Sequence, residues 1–480
     1  MRTTRSRRLG AAAVGALALA ASMAQAQSAP TTQTTPAALV AGFERTELPG
    51  GEHMGLAQIA YLVEFAPGWR AGPALYGAAT GHRGGLFTWG AEAQKLWRFG
   101  DRWQAVGGLY VGGGGGGNAP VGGGLMLRPH ADLLYGFDGW ALGVSASQVR
   151  FPNGDIRSSQ LGLVLSVDDR FEHGTPGSAW RSAGESWLRV DRLVLGGGRY
   201  AEQAPGADSL GIISLRAEHD LGPVWIATAE AGAAVQGDGD GYAEFGAGLA
   251  ALWPTPLPGL RLGGRAMLGL GGGGAVPTGG GIIGKAALLA RWQVAGPWIV
   301  ELEGGRVHAF SGGDLDSNYA MLSLGRSFGA PGAGTPAVET EFALAAQSYD
   351  AQRRDGSRRR LETVGLKISR ALDERWYLAG QAFGAVTGGA GAYSVGLVGL
   401  GARWPVGSGW RVGAEALAGA AGGGGVDSKG GAIVQPKLWV GTDVGRHSRL
   451  QLGAGYIRSL RGELSAPLVE LSWGVALGRP

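Results

Sequence analysis

Residues 107–137 read GGLYVGGGGGGNAPVGGGLMLRPHADLLYGF, and two later stretches follow the same plan. From Arg265 the chain runs RAMLGLGGGGAVPTGGGIIGKAALLARWQV, and from Glu415 it runs EALAGAAGGGGVDSKGGAIVQPKLWVGTDV. Spacing of about 150 residues between self-similar stretches marks an internally repeated architecture. The match extends upstream. GPALYGAATGHRGGLFTWGAEAQKLW from Gly72 aligns with ATAEAGAAVQGDGDGYAEFGAGLAALW from Ala227 and with AGQAFGAVTGGAGAYSVGLVGLGARW from Ala379. Aligned turns and tryptophans, rather than glycine alone, carry the repeat.

Each copy divides into eight strand-like runs of about 8 to 13 residues separated by turn residues. The copies occupy 39–171, 187–328 and 338–477, so about 24 strands are expected in all. Within the runs, polarity alternates with a period of two. After Gly124 one face carries Leu125, Leu127, Pro129, Ala131, Leu133, Tyr135 and Phe137, and the other Arg128, His130 and Asp132. The second copy places Ile282, Ala286, Leu288, Trp292 and Val294 on one face, with Lys285, Arg291 and Gln293 opposite. The third places Val434, Leu438, Val440 and Val444 opposite Gln435, Lys437 and Asp443. In the fourth run of the first copy, Phe87, Trp89, Ala91 and Ala93 face away from Glu92 and Gln94. Lipid tolerates only apolar outward side chains on a fully paired backbone, which is the dyad pattern of a membrane-spanning barrel. The lumen-facing candidates are therefore Glu92, Arg128, His130, Asp132, Arg265, Lys285, Arg291, Glu415, Gln435 and Lys437.

Turns fall into two classes. Those after even-numbered runs are short, and many lead at once into tryptophan: Trp69, Trp103, Trp140, Trp225, Trp298, Trp376 and Trp410. Those after odd-numbered runs are longer or more polar, as in 197–208 and 349–360. Membrane barrels keep short turns on the periplasmic side, longer loops outside, and aromatic girdles at both interfaces.

Composition agrees with this reading. Glycine supplies 93 of 480 residues, and charged residues only 17%, against about 25% in soluble chains. The absence of a Gly-X-Y period excludes collagen, and abundant apolar residues exclude a disordered chain. Residues 1–26 read as an export signal. Arg2, Arg5, Arg7 and Arg8 precede an apolar run from Leu9 to Ala21, and Ala24-Gln25-Ala26 gives a small-x-small cleavage pattern. A short linker, 27–38, is expected to follow. Cleavage takes four of the 42 basic residues and none of the 38 acidic ones, which removes support for nucleic-acid binding. With no cysteine, the exported chain has neither disulfides nor thiol chemistry.

The whole mature length resembles a Gram-negative outer-membrane β-barrel protein. The resemblance implies residence in the cell outer membrane, contact with lipopolysaccharide and outer-membrane lipid, and assembly by the barrel-insertion machinery. Such barrels usually end on a strand with a terminal aromatic; here LVELSWGVAL is followed by Gly478-Arg479-Pro480, and Trp473 lies upstream.

Chemical motifs are sparse. The glycine run 422–431 with Lys429 lacks the G-K-[ST] ending of a phosphate loop. Asp238 with Asp240, and Asp314 with Asp316, offer too few carboxylates for calcium, and the seven histidines show no ligand spacing. His308 and Ser311 lack a third orienting group, so a lipid-modifying barrel enzyme has no triad to rest on. No catalytic, cofactor or metal site is expected, and the protein is read as a non-enzyme. Arg353, Arg354, Arg358, Arg359 and Arg360 form a basic cluster suited to lipopolysaccharide phosphates.

The fold class is an all-β, transmembrane, antiparallel up-and-down barrel. Two closures fit the 24 strands. One wide barrel would form a pore or an export and secretion conduit, sealed by a plug, a periplasmic export partner or inward-folded glycine loops. Three tandem eight-strand barrels would make a non-conducting structural or adhesive surface protein. Inward faces rich in Gly and Ala, short of bulk and paired charge, favour the single wide barrel.

Overall fold

The computed structural model describes residues 32–178, 180, 186–187, 189–201, 209–328, 336–445 and 448–479. The expected export signal lies outside these residues. The first strand opens at Gln33, inside the stretch expected as a linker.

Alternating polarity produces 24 strands in three sets of eight. The first set is β1 (Gln33–Glu47), β2 (His53–Ala66), β3 (Trp69–Thr80), β4 (Phe87–Phe99), β5 (Trp103–Gly115), β6 (Met126–Gly136), β7 (Trp140–Arg150) and β8 (Arg157–His173). The second is β9 (Arg192–Tyr200), β10 (Leu210–Asp220), β11 (Trp225–Gln236), β12 (Ala243–Pro254), β13 (Leu260–Gly272), β14 (Ile282–Ala295), β15 (Trp298–Ala309) and β16 (Asp316–Ser327). The third is β17 (Val338–Gln352), β18 (Arg358–Ala371), β19 (Trp376–Ala385), β20 (Ser394–Gly407), β21 (Trp410–Gly422), β22 (Ala432–Asp443), β23 (Ser448–Ser459) and β24 (Ser465–Arg479). Every neighbouring pair is antiparallel. In β16 exposed and buried residues alternate without a break from Asp316 to Gly325.

Closure occurs within each repeat. β1 pairs with β8 from Gln33 opposite His173 to Glu44 opposite Gly162. β9 closes on β16 and β17 on β24 in the same way. The molecule is therefore three closed eight-strand barrels, and the single 24-strand barrel expected from the sequence is not formed. Val40 lies opposite Ser166 rather than beside the C-terminal strand. The wide lumen goes with it, along with the need for a plug. The expectation failed on the inward faces. They hold bulky apolar side chains such as Tyr110, Tyr242 and Tyr393 together with long, mutually paired charges, and the two sets fill a narrow barrel.

The outward faces form an apolar belt, with Leu161, Leu288 and Leu438 exposed at 75%, 77% and 68%. At one end, Trp69, Trp103, Trp140, Trp225, Trp298, Trp376 and Trp410 are all substantially exposed, as are Trp97, Trp253 and Trp404. Large exposed aliphatics in such numbers mark a surface that meets a membrane or a partner, and the flanking tryptophan girdle matches a membrane barrel.

The three barrels contact one another in a closed cycle. The β13–β14 connection of the second barrel enters the β3–β4 connection of the first, where Gly84 N donates to Gly279 O (2.8 Å), and Ser311 Oγ of the β15–β16 connection donates to Ala79 O at the end of β3 (2.9 Å). The β5–β6 connection of the first enters the β19–β20 connection of the third, and Gly391 N donates to Gly122 O (2.9 Å). The β21–β22 connection of the third meets the β11–β12 connection of the second, where Ser428 Oγ donates to Asp240 Oδ2 (3.4 Å), and Arg354 in the β17–β18 turn pairs with the same carboxylate. The same two surfaces are used three times in head-to-tail order, which generates a ring when the rotation closes. Backbones meet so closely that a Cβ at Gly85 (φ +90°) would lie 2.1 Å from Gly273 N. The glycine runs are thus packed seams, not inward-folded lids. Phe87 and Trp89 face outward on β4 yet are buried, since they meet Phe245 of the second barrel edge to face, with centroids 5.1 and 5.5 Å away. At the opposite end, Gly174 and Gly478 exchange backbone hydrogen bonds of 2.9 and 2.7 Å, tying the first barrel to the third.

Candidate functional site

Each lumen combines an apolar core with a layer of charge, and further apolar residues such as Ile226 and Leu252 are buried at the turn end. Toward the glycine-loop end lies an apolar core, in the first barrel Met54, Leu56, Tyr110, Met126, Phe151 and Ile156 among others. The second and third barrels carry equivalent clusters around Tyr200, Tyr242 and Ile283, and around Phe383, Tyr393 and Ile433. Beneath each sits a layer of buried charge.

In the first barrel Arg128 Nη2 reaches Glu44 Oε2 at 2.8 Å, while Ser147 donates to the same oxygen at 2.7 Å. His130 bridges Asp132 (2.9 Å) and Glu92 (3.3 Å). Glu92 also accepts from Gln58 at 2.8 Å and Tyr76 at 2.9 Å. In the second barrel Arg216 meets Glu218 at 2.9 Å, Glu303 at 3.0 Å and Glu230 at 3.6 Å, and also pairs with Glu301. Arg265 joins Glu230 (2.8 Å) to Glu303 (2.5 Å). Lys285 joins Glu230 (2.9 Å) to Glu244, and Arg291 joins Glu218 to Glu301, both at 2.6 Å. In the third, Lys437 contacts Glu415 at 2.9 Å and Glu470 at 2.6 Å, Lys367 reaches Glu470 at 2.6 Å, and Arg449 reaches Glu341 at 2.6 Å.

All ten lumen-facing candidates are buried, and nine of them take part in these networks. Gln435 is buried without a hydrogen-bond partner in the structure. Gln293 and Asp443, on the same faces, lie at the turn end: Gln293 donates to Gly296 O (2.7 Å) and Asp443 pairs with Arg411. The anionic halves Glu44, Glu230, Glu301, Glu303 and Glu470 were missed, although strand parity held the signal. Glu301 and Glu303, for example, flank the lipid-facing Leu302.

An ion confined in such a layer is costly to leave unpaired, which explains why the charges come in sets. Little space is left. A cavity of about 10 Å³ lies by Glu44, Tyr76, Arg128 and His130, and one of about 20 Å³ by Lys367, Tyr377, Glu415 and Arg449. Each holds about one water molecule.

The basic cluster divides. Arg353 is buried and donates to Gly424 O (2.7 Å) and Gly388 O (3.0 Å), clasping loops of its own barrel. Arg354 is taken by Asp240 across the seam. Arg358, Arg359 and Arg360 are exposed, with Asp355 3.3 Å from Arg359 and Glu362 3.9 Å from Arg360. Ser311 accepts from Ile282 N while donating to the first barrel, so its hydroxyl is engaged in the seam. No group of three or more His, Asp or Glu able to hold a metal occurs among the described residues.

No protein-family model and no curated protein matches the chain. Among solved structures it is similar to OccAB3 of Acinetobacter baumannii, at 9% identity over 93% of this chain and 98% of that one, with a TM-score of 0.22. The outer membrane protein opdK from Pseudomonas aeruginosa gives 12% identity over 92% and 98%, with a TM-score of 0.21. FpvA of P. aeruginosa, solved with a heterologous pyoverdine and iron, gives 10% identity over 92% and 71%, with a TM-score of 0.28. At such scores no whole-fold superposition exists.

Proposed function

We propose that the chain is a non-conducting outer-membrane protein whose three filled barrels anchor a composite loop surface facing outside the cell. The observation that carries this reading is the buried ion-pair layer across each lumen, with cavities of only about 10 and 20 Å³ beside it in the first and third barrels. Eight-strand interiors are just wide enough for side chains to fill. The tryptophan-rich end with short turns is assigned to the periplasm, and the glycine seams to the outer side. The exposed Arg358, Arg359 and Arg360 are assigned to contact with lipopolysaccharide. The N-terminal basic and apolar segment is assigned to export, and assembly to the barrel-insertion machinery. No plug and no periplasmic export partner is required, and no catalytic role is assigned. Planar-bilayer recording of refolded protein tests the reading: the expected trace is flat, and stable ohmic steps would overturn it in favour of a conduit.

A further inference from the structure

On the lipid-facing side of the first barrel, away from both seams, two exposed arginines stand at the loop ends of adjacent strands: Arg150 on β7 and Arg157 on β8. Arg150 and Arg157 are directly opposite each other in the β7–β8 pairing. Opposed residues of this kind hold their Cβ atoms about 4.5–5.5 Å apart, and like charges there are destabilising. Neither arginine makes an ion pair among the described residues. The acid nearest in sequence, Asp155, does not pair with them either.

The fold does not demand this arrangement. At the same register the second barrel sets His308 opposite Asp316, and Arg306 Nε binds that carboxylate at 2.5 Å. The third barrel sets Arg458 opposite Ser465. One barrel supplies an acid, one a neutral group, and only the first opposes cation to cation. An external anion would relieve the repulsion.

The height of the pair says which anion. β7 runs from the girdle residue Trp140 to Arg150, which is about 33 Å along the strand. At the usual tilt that is about 25 Å of membrane, the full apolar band. Leu142 and Val144 on β7, and Leu161 and Leu163 on β8, are exposed below the arginines. The guanidinium groups therefore stand where hydrocarbon gives way to headgroups on the loop side.

We propose that Arg150 and Arg157 bind a phosphate of the lipid anchor of lipopolysaccharide while its acyl chains lie along Leu142, Val144, Leu161 and Leu163. Arginine suits the task because its planar fork binds phosphate oxygens two at a time. The assignment rests on the membrane orientation proposed above, and it adds a site distinct from the Arg358–Arg360 loop, where neighbouring acids already offset part of the charge.

The test is binding of purified lipid A bisphosphate to the full-length protein in detergent, followed by native mass spectrometry. Phosphatidylglycerol and inorganic phosphate serve as competing anions. Arg157→Asp reproduces the pairing of the second barrel and should weaken binding roughly tenfold, as should Arg150→Gln. Arg306→Gln on the second barrel should leave binding unchanged, and heat-modifiable gel migration verifies that each variant is folded. Equal affinity in all variants would overturn the proposal. So would competition by phosphatidylglycerol or inorganic phosphate as effective as by lipid A. Orientation is read separately with Pro49→Cys in the exposed β1–β2 turn, using an impermeant maleimide on whole cells. Lipid A binding with no labelling would support the rim and overturn the orientation, whereas labelling without binding would do the reverse.

Discussion

The first and second barrels share strand number, strand order and an apolar cap, yet their charged layers are built differently. The second packs Arg216, Arg265, Lys285 and Arg291 among Glu218, Glu230, Glu244, Glu301 and Glu303, and most of these ions touch two or more of opposite sign. The first holds fewer ions and relies on neutral donors: Gln58 and Tyr76 on Glu92, and Ser147 and Gln160 on Glu44. The architecture requires a lumen that is full and close to neutral. It leaves open whether charge or amide chemistry does the filling. A dense ionic layer has a cost, because every member depends on several others, so single replacements should hurt the second barrel more.

The largest effect is expected from Arg216→Met. It leaves four glutamates short of a shared cation and should destabilise the fold by about 3–5 kcal/mol, read from urea unfolding in micelles. A loss under about 1 kcal/mol would erase the contrast between the barrels. Next come Leu163→Arg and Leu288→Arg, each near the middle of an outward face. Both should cost about 2–4 kcal/mol, and similar values would confine the difference to the interiors. Gln58→Leu in the first barrel removes one of several donors to Glu92 and should cost about 1–3 kcal/mol. A larger loss than that of Arg216→Met would reverse the ranking.

The smallest effect concerns a pair outside the membrane. Arg83 reaches both carboxylate oxygens of Glu52, at 2.9 and 2.5 Å. Its hydrogen bond holds the Glu52 carboxyl below its usual range. A depressed folded value means the stabilisation is complete above the unfolded carboxyl pKa, roughly 4.3, and fades as pH falls through the lower folded value. The pair is partly exposed and should contribute no more than about 1 kcal/mol. The stability gap between wild type and Glu52→Gln should therefore be present at pH 6 and shrink below pH 4. A gap unchanged with pH would remove the ionic explanation.

Strand number and strand faces were legible because both are local: turn residues punctuate the chain, and parity separates Leu302 from Glu301 and Glu303. Closure was not. The alternation of β1 or β24 is the same whether the edge pairs with its own repeat or with a distant one, so no short window of sequence decides it. The deciding quantity was lumen volume against side-chain bulk. It was misjudged because abundant Gly and Ala masked one long ion on nearly every strand, such as Glu44, Glu92 and Arg128. The glycine runs were read as loops free to fold inward for a related reason. A residue without a side chain looks like a flexible loop in sequence, and only the approach of Gly85 to Gly273 reveals a neighbour.

The head-to-tail ring has a genetic consequence. In a homotrimer any substitution appears three times, so a change useful at one position must be harmless at all of its copies. Here three barrels share a single gene, and each can accept its own mutations while the ring keeps a fixed stoichiometry at any concentration. Three positions of one register can thus hold an arginine pair, a histidine–aspartate pair and an arginine–serine pair, letting one face of the ring specialise while the other two conserve the assembly.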